Sequence, residues 1–243
     1  MRLTSPLTPT VAALLSFTVV SALAAQQPGR GAPAPDDGSR AVANGGVFAP
    51  GWTGAIDAAE ERRGLTLQSA RLSEANGALS VTTGPATTYW NPKNTASGSY
   101  TVKATFHEPK YMNLNDHPHP YGIVIAGNGM GTPDASYLYC AAYGNGVFIV
   151  RGFGPAPFQM GARRGSEAPS VTRAAGPGAP VTQEIAMSVT PATVTCTING
   201  AVVATYPKSD LVADGKLKST DGVYGIRFAH NTEGTVTGLS MSR

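Results

Sequence analysis

The stretch Val194-Thr195-Cys196-Thr197-Ile198-Asn199-Gly200-Ala201-Val202-Val203-Ala204-Thr205-Tyr206 reads as two strands joined by a two-residue reversal. Asn-Gly is the strongest short-range hairpin signal, because both central residues of a type I′ turn need φ > 0. Such a turn fixes the register and pairs Ile198 with Ala201, Cys196 with Val203 and Val194 with Thr205. Alternation gives those six residues one mostly apolar face. Thr193, Thr195, Thr197, Val202, Ala204 and Tyr206 take the other.

The same grammar recurs outward from this hairpin. Gly and Pro punctuate short β-branched, aromatic or alternating runs, which predicts strands near Leu65–Ala70, Ala78–Thr83, Tyr100–His107, Tyr121–Gly127, Tyr137–Tyr143 and Val147–Gly152. Further strands are predicted near Glu184–Thr190, Thr193–Asn199, Ala201–Tyr206, Gly222–His230 and Thr235–Ser242. Helical periodicity never exceeds about two turns, and Ala55–Arg63 is the best short candidate. Many strands with hairpin-length links imply an all-β, two-sheet antiparallel sandwich. Two connections are longer than a hairpin needs: Glu108–Pro120, and the Gly-, Pro- and Ala-rich Phe153–Pro180.

The N-terminus has the form of an export signal. Arg2 supplies the positive start, Val11–Val20 the apolar core, and Ala22-Leu23-Ala24 a small-residue cleavage signature, so Met1–Ala25 is expected to direct the chain to a secreted or periplasmic location. That apolar run is short for a membrane span of about 30 Å, and no later segment is longer, so no membrane insertion is expected after cleavage. Gln26–Gly46 is rich in Gly, Pro and Ala and is expected to be a flexible linker. One domain is expected over Val47–Arg243. Losing Met1–Ala25 removes one basic residue and no acid, lowering the net charge from +3 to +2. That balance excludes a dedicated nucleic-acid binder, which needs a basic patch or stripe.

Alternation puts Cys140 and Cys196 on apolar faces. They are either a disulfide between strands or two buried thiols acting as small hydrophobes. Neither has a redox or zinc spacing, and no cofactor or metal is expected on motif grounds.

The succession Gly51-Trp52, Gly77-Ala78-Leu79, Tyr100-Thr101-Val102, Tyr121-Gly122-Ile123, Gly146-Val147-Phe148, Ile198-Asn199-Gly200 and Gly222-Val223-Tyr224-Gly225-Ile226 resembles the concanavalin A-like lectin/glucanase superfamily, nearest its secreted bacterial 3-keto-disaccharide hydrolase-like domains. The resemblance implies a jelly roll with one concave sheet and carbohydrate as the ligand class. Fold likeness does not fix activity.

Alternation also nominates a site. The polar sides of the expected strands collect Lys103, His107, Tyr137, Tyr139, Arg151 and Arg227. Phenol rings beside planar guanidinium groups suit the C–H faces and hydroxyls of a sugar, with Trp90, His119 or the Phe153–Pro180 loop at the rim. An ordinary solvated sheet face would carry the same residue types. Hydrolysis by paired carboxylates requires two acids about 5 to 10 Å apart, and the Glu-x-Asp-x-x-Glu strand that would supply them is absent. A 3-keto sugar, in contrast, can lose its aglycone with one base and one electrophile, and a histidine can be that base. His107, Asp116, His117 and His119 are close in sequence, and an extended His-Pro-His would turn both outer rings to one side, so joint metal ligation is geometrically open. His230 is expected at the edge of the core. A carbohydrate-recognition domain is the first expectation, a glycoside-processing enzyme the second and a structural cell-envelope domain the third.

Overall fold

A computed structural model describes residues 1–2 and 38–243. The expected export signal beyond its first two residues, and the linker through Asp37, lie outside the described residues. Along the chain run β1 (Gly46–Val47), β2 (Thr53–Ile56), the short helix α1 (Ala58–Glu61), a 3-10 turn (Leu67–Ser69), β3 (Arg71–Ala75), β4 (Ala78–Thr82), β5 (Thr87–Ala96) and β6 (Tyr100–Glu108). There follow β7 (Tyr121–Asn128), β8 (Ser136–Ala142), β9 (Val147–Phe153), β10 (Pro157–Met160), β11 (Ser166–Glu167) and β12 (Val181–Val189). The chain ends with β13 (Thr193–Ile198), β14 (Ala201–Pro207), helix α2 (Lys208–Leu211), β15 (Gly222–Phe228) and β16 (Glu233–Ser242).

The strands form two sheets. The back sheet has the order β1-β3-β4-β16-β6-β12-β13-β14, and the front sheet β10-β9-β8-β7-β15-β5-β2 with β11 also on β9. Only β1 and β3 pair in parallel among the described strands. This is an all-β jelly-roll sandwich and not a closed barrel. Among the described residues no helix is long and apolar enough to cross a membrane.

Period two builds the core. In β12, Val181, Gln183, Ile185, Met187 and Val189 point inward while Thr182 and Glu184 are exposed. They meet Ile123, Ile125, Leu138 and Ile226 of the front sheet, with the Phe106, Tyr121 and Phe228 rings clustered at centroid separations of 5.6 to 6.0 Å. Gln183 breaks the apolar pattern without an orphaned amide. Its side chain bonds both the N–H and the carbonyl of Thr172.

The hairpin that opened the sequence is a tight reversal, with Asn199 at φ 49° and Gly200 at φ 80°. Its register departs from expectation after two pairs. Ile198 opposes Ala201, but a bulge between Cys196 and Thr197 sets Cys196 against Ala204 and Val194 against Tyr206. β14 is an edge strand, where a bulge is tolerated and blunts further pairing. Asn199 also clasps the body of the sheet. Its Oδ1 accepts from the Glu184 N–H at 2.7 Å, and its amide nitrogen donates to the Ser170 carbonyl (2.7 Å) and Gln183 Oε1 (2.8 Å).

Cys140 on β8 and Cys196 on β13 form a disulfide that joins the two sheets, with Cα atoms 6.3 Å apart. The Leu65–Ala70 expectation fails. A Thr66-capped 3-10 turn stands there, and the strand begins at Arg71. β5 is not among the expected strands, and it contains Pro92. The proline sits beyond Trp90, where pairing with β2 has ended, and inside a gap in pairing with β15. The long Phe153–Pro180 connection carries β10 and β11, both hydrogen-bonded to β9. The last residues of the expected linker are fixed, with the Val42 N–H on the Ser69 carbonyl and the Arg40 N–H on Asn231 Oδ1.

Candidate functional site on the front sheet

β8 is buried along its whole length, on both faces. Its inward residues Leu138, Cys140 and Ala142 belong to the main core. Its outward residues Tyr137, Tyr139 and Ala141 form a second apolar cluster with Val124 and Ile149, flanked by Met130, Tyr143 and Phe153. An ordinary solvated sheet face would leave such tyrosines open to water. Here they are 7% and 6% exposed.

Arg227 of β15 stands in the middle of this face. One guanidinium nitrogen meets the Asp57 carboxylate at 2.6 Å, and another donates to Thr88 Oγ1 at 2.8 Å and to the Tyr137 hydroxyl at 3.3 Å. The Tyr139 and Phe153 rings flank it, with centroids 5.1 and 5.0 Å from Cζ. Burial works against its charge, yet Asp57 and the two tyrosines hold its pKa above the ordinary arginine value. Burial pushes the Tyr137 phenol up to about 12, against the pull of Arg227. Asp57 immediately precedes α1, so the helix and β2 deliver the carboxylate that the sheet itself lacks. The sequence reading missed Asp57. An acid in a short helix start carries no period-two signal.

This array floors a cleft of about 810 Å³, bounded by α1 and Trp90 on one side and by Arg151 and the Phe153–Phe158 turn on the other. Arg227 is committed to Asp57, Thr88 and Tyr137 and acts as a frame. Arg151 is different: one guanidinium nitrogen donates to the Arg163 carbonyl at 2.7 Å, while its buried Nε makes no hydrogen bond among the described residues.

A second hollow of about 260 Å³ adjoins the first and shares Tyr139, Arg151 and Arg227 with it. Its other wall is histidine. The Nε2 atoms of His117 and His119 are 2.7 Å apart. The His119 and His230 rings stack at 4.0 Å. Asp116 Oδ1 lies 2.6 Å from His117 Nδ1, an exposed contact that holds the Asp116 carboxyl below its usual range.

Six of the eight nominated residues therefore meet on one face: Trp90, Tyr137, Tyr139, Arg151, Arg227 and His119 line the two hollows. Lys103 and His107 do not. They lie on β6 in the back sheet, where Lys103 is exposed and His107 Nδ1 is 2.9 Å from Thr182 Oγ1. Alternation tells which side of a strand a residue occupies but not which sheet holds the strand. His230 leaves the core edge because β15 ends at Phe228, two residues before it.

No protein-family profile matches this sequence, and no curated protein is significantly similar to it. Its fold is shared with solved structures. A carbohydrate-binding module of Bacillus subtilis, CBM66, superposes with a TM-score of 0.52 at 6% identity, over 81% of this chain and 98% of that one. A Bacillus subtilis protein of unknown function with a galectin-like fold gives 0.50 at 13% identity, over 78% and 88%. The class is a jelly-roll sandwich, and at these identities the likeness concerns the fold alone.

Proposed function

We infer that this protein is a secreted or periplasmic carbohydrate-binding domain that holds a glycan in the cleft on the outward face of the front sheet. The observation that carries the reading is the pairing of a desolvated aromatic floor with a planar guanidinium at its wall, that of Arg151. Aromatic rings take the C–H face of a sugar, and a guanidinium takes its hydroxyls. The cleft of about 810 Å³ has the size of a small-ligand site. Direct contact falls to Arg151, Phe153 and Phe158, while Arg227 holds Tyr137, Tyr139 and Phe153 in place. A fold neighbour that is itself a carbohydrate-binding module agrees with this assignment. The inter-sheet disulfide and the N-terminal export pattern agree with an oxidising compartment.

The test is a glycan array probed with wild type, Arg151→Ala, Phe153→Ala and Lys103→Ala. Binding lost in the first two variants and kept in the third supports the reading. Absence of any glycan ligand, or equal binding by Arg151→Ala, removes it.

One observation favours a second reading, glycoside processing of the 3-keto-disaccharide hydrolase type. The Asp116, His117 and His119 group adjoins the same face and offers an imidazole base. Release of aglycone from a 3-keto glycoside by wild type, but not by His117→Ala/His119→Ala, would establish it.

A further inference from the structure

The histidine wall of the smaller hollow has a defined hydrogen-bond polarity. His119 Nδ1 lies 2.5 Å from the His230 carbonyl oxygen, which can only accept, so Nδ1 carries the proton. His117 Nδ1 lies 2.6 Å from the Asp116 carboxylate and is a donor for the same reason. In the neutral rings both Nε2 atoms then hold lone pairs, and these face each other at 2.7 Å. Two lone pairs at that separation repel unless the rings share a proton or move slightly apart around a metal ion. A third imidazole is at hand: the ligand nitrogens of His117, His119 and His230 all lie within 4.8 Å of one another.

We propose that His117, His119 and His230 form a binding site for one divalent transition-metal ion of the zinc class. Imidazole nitrogen suits zinc, copper, nickel and iron, and calcium or magnesium would need oxygen ligands instead. The outer contacts have the form such a site needs. Asp116 behind His117 and the His230 carbonyl behind His119 fix each ring's tautomer and turn its Nε2 toward the metal. A tetrahedral ion with bonds of about 2.1 Å holds its nitrogens roughly 3.4 Å apart, so a small rotation of the exposed His117 ring suffices. Three protein ligands leave a fourth position open, and the hollow there is shared with Tyr139, Arg151 and Arg227. Histidines committed to a metal cannot act as bases. Under the enzyme reading, the bound water would take that role.

The experiment uses purified protein without a polyhistidine tag, stripped by chelator and then equilibrated with Zn²⁺ or Co²⁺. Metal content is measured by mass spectrometry, and Co²⁺ coordination by visible absorption. The expected result is one ion per chain with tetrahedral Co²⁺ bands. His119→Ala and His230→Ala should lower loading at least tenfold, and His107→Ala on the back sheet should keep it. Failure of wild type to retain zinc at micromolar free ion overturns the proposal and leaves the shared-proton pair. Full loading of His119→Ala overturns it as well. If that variant does not fold, His117→Gln at the exposed ring decides, with circular dichroism as the control. The assay contains no carbohydrate, so its failure and failure of the glycan reading are separable.

Discussion

The Asp57 carboxylate meets the Arg227 guanidinium at 2.6 Å, joining the start of α1 to the C-terminal end of β15 across 170 residues of chain. Arg227 is 7% exposed, so its charge depends on this partner and on the rings beside it. A buried charge stripped of its partner costs far more than an exposed pair contributes.

Asp57→Ala is accordingly expected to destabilise the fold by about 3 kcal/mol, read as a lowered midpoint in urea unfolding. Tyr137→Phe leaves the ion pair intact, removes the hydroxyl's bonds with Thr88 Oγ1 (3.1 Å) and Arg227 (3.3 Å), and should cost about 1 to 2 kcal/mol. Equal losses in the two variants would mean that the ion pair does not frame the site.

Glu108 makes stability depend on pH. It is 5% exposed, and burial, joined by the charge of Glu233, pushes its carboxyl up to about 7 despite a bond from the Met112 N–H. In the unfolded chain a glutamate titrates near 4.3, so between about 4 and 7 the folded state keeps a proton that the unfolded state has released. Stability contributed by neutral Glu108 is complete below that range and declines as pH rises through it, by on the order of 3 kcal/mol. Glu108→Gln should flatten this decline and be more stable than wild type at pH 8 in denaturant titrations. An unchanged slope would refute the assignment.

The disulfide closes a loop between residues 56 positions apart. In the chain-entropy picture a loop of that length contributes about 4 kcal/mol. Cys140→Ala/Cys196→Ala should therefore show a much lower thermal midpoint than wild type under oxidising conditions, and reductant should bring the two together.

Asn199 both makes the type I′ turn and bonds Glu184, Ser170 and Gln183. Asn199→Gly keeps the positive φ and loses the clasp. An expected cost of about 2 kcal/mol on unfolding separates the clasp from the turn, and a neutral effect would show that only the turn matters.

Turn chemistry made the Asn199-Gly200 reversal readable from the chain, and period two the outward Tyr137, Tyr139, Arg151 and Arg227. What it could not supply was the order of strands, since sheet membership depends on long-range pairing. That is why Lys103 and His107, correctly seen as outward on β6, belong to the opposite surface. Asp57 and Phe153 escaped because one precedes a single-turn helix and the other ends a strand at a proline-rich turn. The closeness of His230 to His119 follows from β15 stopping at Phe228, a boundary that the run of apolar residues through Ala229 obscured.

The most direct test of the central claim is a crystal structure of the protein with the best glycan found on the array. The account predicts the sugar in the front-sheet cleft, with its ring against Phe153 or Phe158 and a hydroxyl within hydrogen-bond reach of the Arg151 guanidinium. A sugar resting on the back sheet beside Lys103 and His107, with the front cleft empty, would contradict it.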